Sequence, residues 1–330
     1  MTATRPSTGH GVPAADDGTD NRAINDRGID GDAPGGGRGG AVDPGRMRRA
    51  ATSLGTVWRR TDNLARAAAA TLLVLVVVTL VARVTGLGGD PSAIVAPRLQ
   101  PPSAQWPLGT DNLGRSMLPR LLEGIGTTLL LSSLAVGLTA IVSTGLGIVA
   151  GYHGGRSAEA IMRLVDVIYS FPALILAIGV AAIVGPGQSA ALAAIVLVTI
   201  PLMTRMVRMA AASVSGREFV TMARISGVAT PTILRRHVLP NVAGTVAIQG
   251  SYALSIGILV EGGLSFLGYG VQLPRASLGL LIQEGYLYLT AAPWLLLVPG
   301  AVVVATIVSI NIVGDSLRDH VEPRDARPLT

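Results

Sequence analysis

The chain has 330 residues, 49% of them hydrophobic and only 14% charged, with a mean hydropathy of +0.53, which places it outside the range of soluble domains. All 26 cationic side chains are arginine, so a phosphate-loop lysine and a Schiff-base lysine are both excluded, and with zero cysteines so are disulfides, thiolate nucleophiles and zinc ribbons. The pI of about 10.4 accompanies only 4% aromatic residues and arginines that flank apolar runs, a pattern of membrane topology rather than of nucleic-acid binding.

Residues 1–57, with stretches such as "GDAPGGGRGG", hold almost no large apolar side chains and are expected to form a disordered cytosolic tail. No signal-peptide pattern opens the chain, so its start is expected in the cytosol. From 58 to 320 the pattern is that of a transmembrane domain. The first span is expected at about 64–85, between Arg66 and Arg83, whose side chains can snorkel to complete the roughly 20 residues a bilayer requires. Five more follow at about 125–151, 160–184, 189–209, 241–263 and 293–313, with a loop at 210–240 and a cytosolic tail at 321–330.

With the start inside, 21 of the 26 arginines fall on cytosolic pieces, so both termini are expected there. Ser143, Gly147 and Gly151 recur every four residues in the second span and read as a close-packing face. Pro172, Pro201 and Pro299 interrupt spans and free backbone carbonyls, which permits kinks or polar lining.

The loop contains "SGREFVTMARISGVATPTILRRHVLPN". Ser215 and Glu218 have capping-box spacing, so a helix is expected from about Gly216 to Ser226. That helix is about 16 Å long, too short to span a membrane. Gly227 ends it, Thr230 and Pro231 restart a helix, and Pro240 marks the entry to the fifth span. Phe219, Met222, Ala223 and Ser226 share one face, with Arg217, Thr221 and Arg224 on another. The pattern fits an amphipathic helix lying on anionic lipid and equally a knob that docks a cytosolic partner.

This loop resembles the cytoplasmic signature of ABC importer permeases at Glu218, Ala223, Gly227, Leu239, Pro240 and Asn241; Met222 departs from it, standing where the family usually has an alanine. Further blocks, "PLGTDNLGRSMLPRLLEG", "GYHGG", "MRLVDVIYSFP", "LSFLGYGVQLP", "APWLLLVPG" and "NIVGDSLRDHVEPR", are similar in order to the C-type subunit of the dipeptide/oligopeptide permease family, with departures at Trp106, Ser116 and Pro119. The resemblance implies an all-α membrane protein with the six transmembrane helices of the type I importer permease fold and a cytoplasmic coupling helix. It implies a plasma-membrane subunit in a bacterium that forms half of a peptide pathway. The partners implied are a homologous second permease, two ABC ATPase subunits that bind the ATP and Mg, and an external substrate-binding protein. No cofactor, metal or nucleic acid is expected on this chain, and it is not expected to be an enzyme. In the implied coupling loop Glu218 ties down the helix start, Phe219, Met222 and Ala223 face the ATPase, Gly227 gives the bend, and Leu239 and Pro240 close the motif.

Charged residues inside spans are functional candidates by default. Asp166 can pair with Arg163 three residues earlier and reads either as a satisfied charge or as part of the pathway. Glu261 can contact a peptide amine, or cap or pair across a permease interface. A nickel or other solute permease of the same family would share the fold and the loop. An ion-coupled secondary transporter needs arranged intramembrane acids, and Asp166 and Glu261 are few and far apart for that. An intramembrane hydrolase would need a histidine within a span, and none falls there.

Overall fold

The computed structural model describes residues 63–86 and 88–321; the expectations for residues 1–57 and for the tail beyond 321 lie outside them. Five helices in this part are long and apolar enough to cross a bilayer, and a bent pair makes a sixth span if its two arms are counted together. The described residues contain no extended strand, only two isolated bridges in the loop after the first helix.

Helix α1 (Asn63–Thr85) is followed by a long segment and then by α2 (Met117–His153), whose 37 residues begin well before the expected 125. Two short helices, α3 (Gly155–Tyr169) and α4 (Ala173–Val184), occupy the region expected as a single span at 160–184, and they meet at 92°. The bend follows from the local chemistry of Pro172. Its ring disfavours a helical Phe171 before it, Pro172 itself is extended at ψ 130°, and the Ser170 hydroxyl turns back to donate to the Val167 carbonyl at 2.7 Å. A kink becomes a corner.

Helix α5 (Gln188–Ser215) carries Pro201 and packs along α2. There the small-residue face does what close packing requires: a Cβ added at Gly147 would lie 2.7 Å from Val207, and one at Gly151 2.6 Å from the Arg208 carbonyl. Lipid tails supply no hydrophobic drive between helices, so such backbone proximity, with the Thr139–Thr199 hydroxyl contact at 2.8 Å, holds the pair together.

Next come α6 (Glu218–Ile225) and α7 (Thr230–Ile233), followed by a π-helical turn (Leu234–Val238) that runs directly into α8 (Leu239–Phe266). Pro240 explains the π turn: it has no N–H to offer, its ring crowds the carbonyl one turn back, and the helix widens so that the Leu239 N–H bonds to Leu234. The Asn241 side chain satisfies the His237 carbonyl at 2.6 Å.

A helix absent from the sequence-based expectation, α9 (Leu278–Tyr286), is capped by the Ser277 hydroxyl, which accepts from the Leu280 N–H. With nine residues it cannot cross a bilayer and folds back onto α8 and α10 (Trp294–Val321). Three buried clusters form the interior. One joins α2, α5, α6, the π turn and α8; an alanine-rich one joins α4, α5 and α8; the third joins α2, α9 and the start of α10.

Candidate functional site

At one end of the bundle α6 and the turn after it pack on the last turns of α5 with an outer side left open. The capping box expected of Ser215 and Glu218 does not form. Ser215 remains the last residue of α5, where its hydroxyl donates to the Ala211 carbonyl at 2.6 Å, and Arg217 occupies the N-cap of α6 without a side-chain cap bond. A serine's own preceding turn offers a nearer acceptor than the next helix does, and that local bond wins. Glu218 is therefore the first helical residue, exposed, with its charge beside the positive end of the helix dipole.

The other end of α6 closes as the glycine signal indicates. Gly227 adopts φ +75°, its N–H donates to Arg224, and the Val228 N–H reaches back to Ala223, both at 3.1 Å, which is the Schellman pair of bonds. A glycine is required at that φ, and open space surrounds it.

The anchor of α6 is Val220, completely buried with Ile233 and Val238 against Val207, Ala211 and Val214 of α5. Of the residues expected to face a partner, Phe219 and Met222 are exposed at 41% and 64%, whereas Ala223 is half-buried against the core. Ile225, at 78% exposure, and Val228 extend the apolar outer surface. The Phe219 ring lies 6.0 Å from His237, and the Arg224 guanidinium sits 5.1 Å from the centre of the Tyr152 ring. Leu239 and Pro240 lie exposed at the start of α8. Val220 was missed because it lies between the two stripes read from the sequence; the signal was a single β-branched residue one position after the aromatic.

The intramembrane acids have separate settings. Asp166 does not pair with Arg163, which instead bonds Glu159 at 2.6 Å one turn earlier on the same helix. Asp166 is held by Arg205 of α5 at 2.6 Å, and the same guanidinium stacks 4.2 Å from the centre of the Tyr169 ring. Glu159 and Arg163 stand in the favourable i, i+4 order along the exposed side of α3, which leaves Asp166 for the neighbouring helix.

Glu261 is wholly buried, and accepts from the Thr128 hydroxyl at 2.8 Å and the Ser265 hydroxyl at 2.6 Å. The same hydroxyls accept from the N–H groups of Leu278 and Val271, so one carboxylate ties α2, α8 and the approach to α9 together. A cavity of about 510 Å³ opens at the α3–α4 corner, lined by Ser170, Phe171 and Pro172, by Thr199 and Pro201 of α5, and by Gln249 of α8. Neither Asp166 nor Glu261 lines it.

The described residues thus form a bundle of membrane-length helices, cornered by a proline and carrying a small anchored helix at one end. The chain belongs to the family described as the binding-protein-dependent transport system inner membrane component, which matches residues 143–326. It is 35% identical to the dipeptide transport system permease protein DppC of Alkalihalophilus pseudofirmus over 227 residues, 69% of this chain and 75% of that one. It is also 34% identical to the glutathione transport system permease protein GsiD of Pectobacterium atrosepticum, with 68% and 74% covered. To the probable D,D-dipeptide transport system permease protein DdpC of Escherichia coli it is 32% identical, with 81% and 90% covered. Among solved structures, a chain of the inward-facing MetNI methionine ABC transporter superposes with a TM-score of 0.52 at 20% identity, covering 62% of this chain and 97% of that one, a likeness of fold.

Proposed function

We propose that this chain is one of two permease halves in an ATP-driven importer of dipeptides or short oligopeptides, with α6 as the lever that receives motion from a cytosolic ATPase. The observation that carries the reading is α6 itself: anchored through Val220 and stopped by Gly227, it presents Phe219, Met222 and Ile225 to a partner. An exposed apolar patch beside arginines is costly to leave in water and suits a protein groove. The peptide assignment is supported by the named substrates of the three relatives, which share amide-linked backbones.

In this reading the α6 end faces the cytosol, as the excess of arginine on that side favours. Both termini lie there too. The second permease completes the pathway, and an external binding protein delivers the peptide. ATP and Mg are bound by the partner ATPases, so this chain contributes differential contacts between two states and no bond chemistry. The α3–α4 corner, with a largely apolar cavity that also carries Ser170, Thr199 and Gln249, is the stretch of this chain best suited to line the pathway.

The test is to tag the full-length chain, extract it gently from native membranes, and identify what travels with it by mass spectrometry. A second permease and ATPase subunits are expected, together with labelled dipeptide uptake that stops on ATP depletion and survives collapse of the proton gradient. Recovery of the chain alone, from an extraction that keeps other membrane complexes intact, would refute the reading.

A further inference from the structure

The cavity at the α3–α4 corner has four polar side chains, Tyr169, Ser170, Thr199 and Gln249, among apolar ones. The Ser170 hydroxyl donates to the Val167 carbonyl at 2.7 Å, and the Thr199 hydroxyl is taken up by the Ile195 carbonyl at 2.7 Å and the Thr139 hydroxyl at 2.8 Å. The Tyr169 ring, on an exposed residue, lies against the Arg205 guanidinium. Gln249 is different. Among the described residues its carboxamide makes no hydrogen bond, although it lines the cavity from the middle of a membrane-length helix.

Depth makes that vacancy costly. Gln249 lies eight residues inside the span expected from 241, roughly 12 Å along the axis at 1.5 Å per residue, which is hydrocarbon depth. A primary amide left without partners there loses its hydration and gains nothing in exchange. It stands in a recess of about 510 Å³, a volume within the roughly 300–1,000 Å³ of small-molecule sites, and not on a flat helix face.

The lining also narrows what the amide can read. No charged side chain lines the recess, and Asp166 and Arg205 beside it neutralise each other at 2.6 Å. The charged ends of a peptide find no counter-ion on this wall, so its main-chain hydrogen-bonding groups are what remains to be recognised. In an extended residue the amide N–H and the following carbonyl or carboxylate oxygen point to the same side. A glutamine carboxamide offers the complement of both in one plane, an acceptor at Oε1 and a donor at Nε2.

We propose that Gln249 is the residue of this chain that recognises the peptide main chain, its Oε1 accepting the amide N–H and its Nε2 donating to the next carbonyl or carboxylate oxygen. The assignment rests on the peptide-importer reading above and adds to it a specificity-determining side chain. Recognition of this kind selects an amide N–H and is indifferent to the side chains that flank it.

The experiment measures initial uptake by cells in which each full-length variant replaces the parent chain, with labelled alanylalanine and alanyl-N-methylalanine as probes. The second probe keeps the carbonyl and lacks the amide N–H. Both are supplied at saturation, and the preference is the ratio of their rates. Any selectivity of an external binding protein is common to all variants and cancels when preferences are compared, as does the amount of protein in the membrane. Gln249→Met is expected to reduce the parent's preference for alanylalanine by about fivefold, as the loss of one hydrogen bond implies. Gln249→Ala, which empties the position, should give the same result. Ser251→Ala, on α8 outside the cavity, is the control and should keep the parent's preference. ATP-dependent uptake with an unchanged preference in both Gln249 variants overturns the proposal and leaves the importer reading standing. Equal slowing of both probes, with loss of the second permease from the purified complex, would assign the amide to the permease interface and also overturns it. A parent that imports neither probe in an ATP-dependent way refutes the importer reading itself, and the proposal falls with it.

Discussion

Single residues at the α6 end separate anchoring from signalling. Gly227→Ala forces a Cβ into a left-handed conformation with no steric neighbour, so the expected cost is about 1 kcal/mol and a partial loss of uptake at normal expression. Gly227→Pro cannot adopt φ +75° and also deletes the N–H that bonds Arg224; uptake should be abolished while membrane insertion is unchanged, as read by labelled-peptide transport beside fractionation. Val220→Ala removes two buried carbons from the anchor, worth about 2 kcal/mol of local stability, and should raise protease cleavage around residue 226 in detergent. At Glu261 the contrast is chemical. Glu261→Gln keeps an acceptor for only one of the two buried hydroxyls and should melt between the parent and the Leu variant. Glu261→Leu strands Thr128 and Ser265, at about 1–3 kcal/mol each, and should lower the thermal midpoint by several degrees. A Leu variant as stable as Gln would show that the hydroxyls find other partners.

Among the elements, the two proline breaks are set by the chain's own chemistry but placed by its neighbours. Pro240 obliges a wider turn, and that turn determines which sides of Leu234–Val238 meet the core. Pro240→Ala allows a regular helix, which moves each preceding side chain by about one residue's rotation and swings Ile233 and Val238 off their seats. The expected result is normal insertion with ATP hydrolysis uncoupled from uptake, measured as the ratio of phosphate released to peptide imported in reconstituted vesicles. The α3–α4 corner has a second restraint, since Arg205 holds α3 to α5 through Asp166 and Tyr169. That pair is partly exposed, and an exposed pair contributes roughly 0–1 kcal/mol, so Asp166→Asn should leave overall stability nearly unchanged.

For the whole molecule, the arginine asymmetry predicts orientation, and the natural absence of cysteine makes it easy to read. Ser103→Cys, in the exposed segment between α1 and α2, should react with a membrane-impermeant maleimide in intact cells. Ser226→Cys, beside Gly227, should react only after permeabilisation. The reverse pattern would invert the topology and remove α6 from the ATPase side.

Without the fold, the residues already show which stretches are apolar enough to span, that a short helix stops at Gly227, that small residues line α2, and that catalysis through lysine or cysteine is absent. Those properties are local, written in periodicity, turn chemistry and composition. The folded chain was needed to see that Ser215 bonds backward rather than capping α6, that Asp166 belongs to Arg205, that Val220 is the anchor, that Glu261 is sealed among hydroxyls, and that Pro172 makes a 92° corner. The partner of Asp166, the burial of Val220 and the sealing of Glu261 depend on which helix lies alongside, whereas the Ser215 bond and the Pro172 corner are local outcomes among competing local choices. A polar group in a membrane protein takes the nearest partner that desolvation leaves to it, one turn away in its own helix for Ser215 and on a neighbouring helix for Asp166.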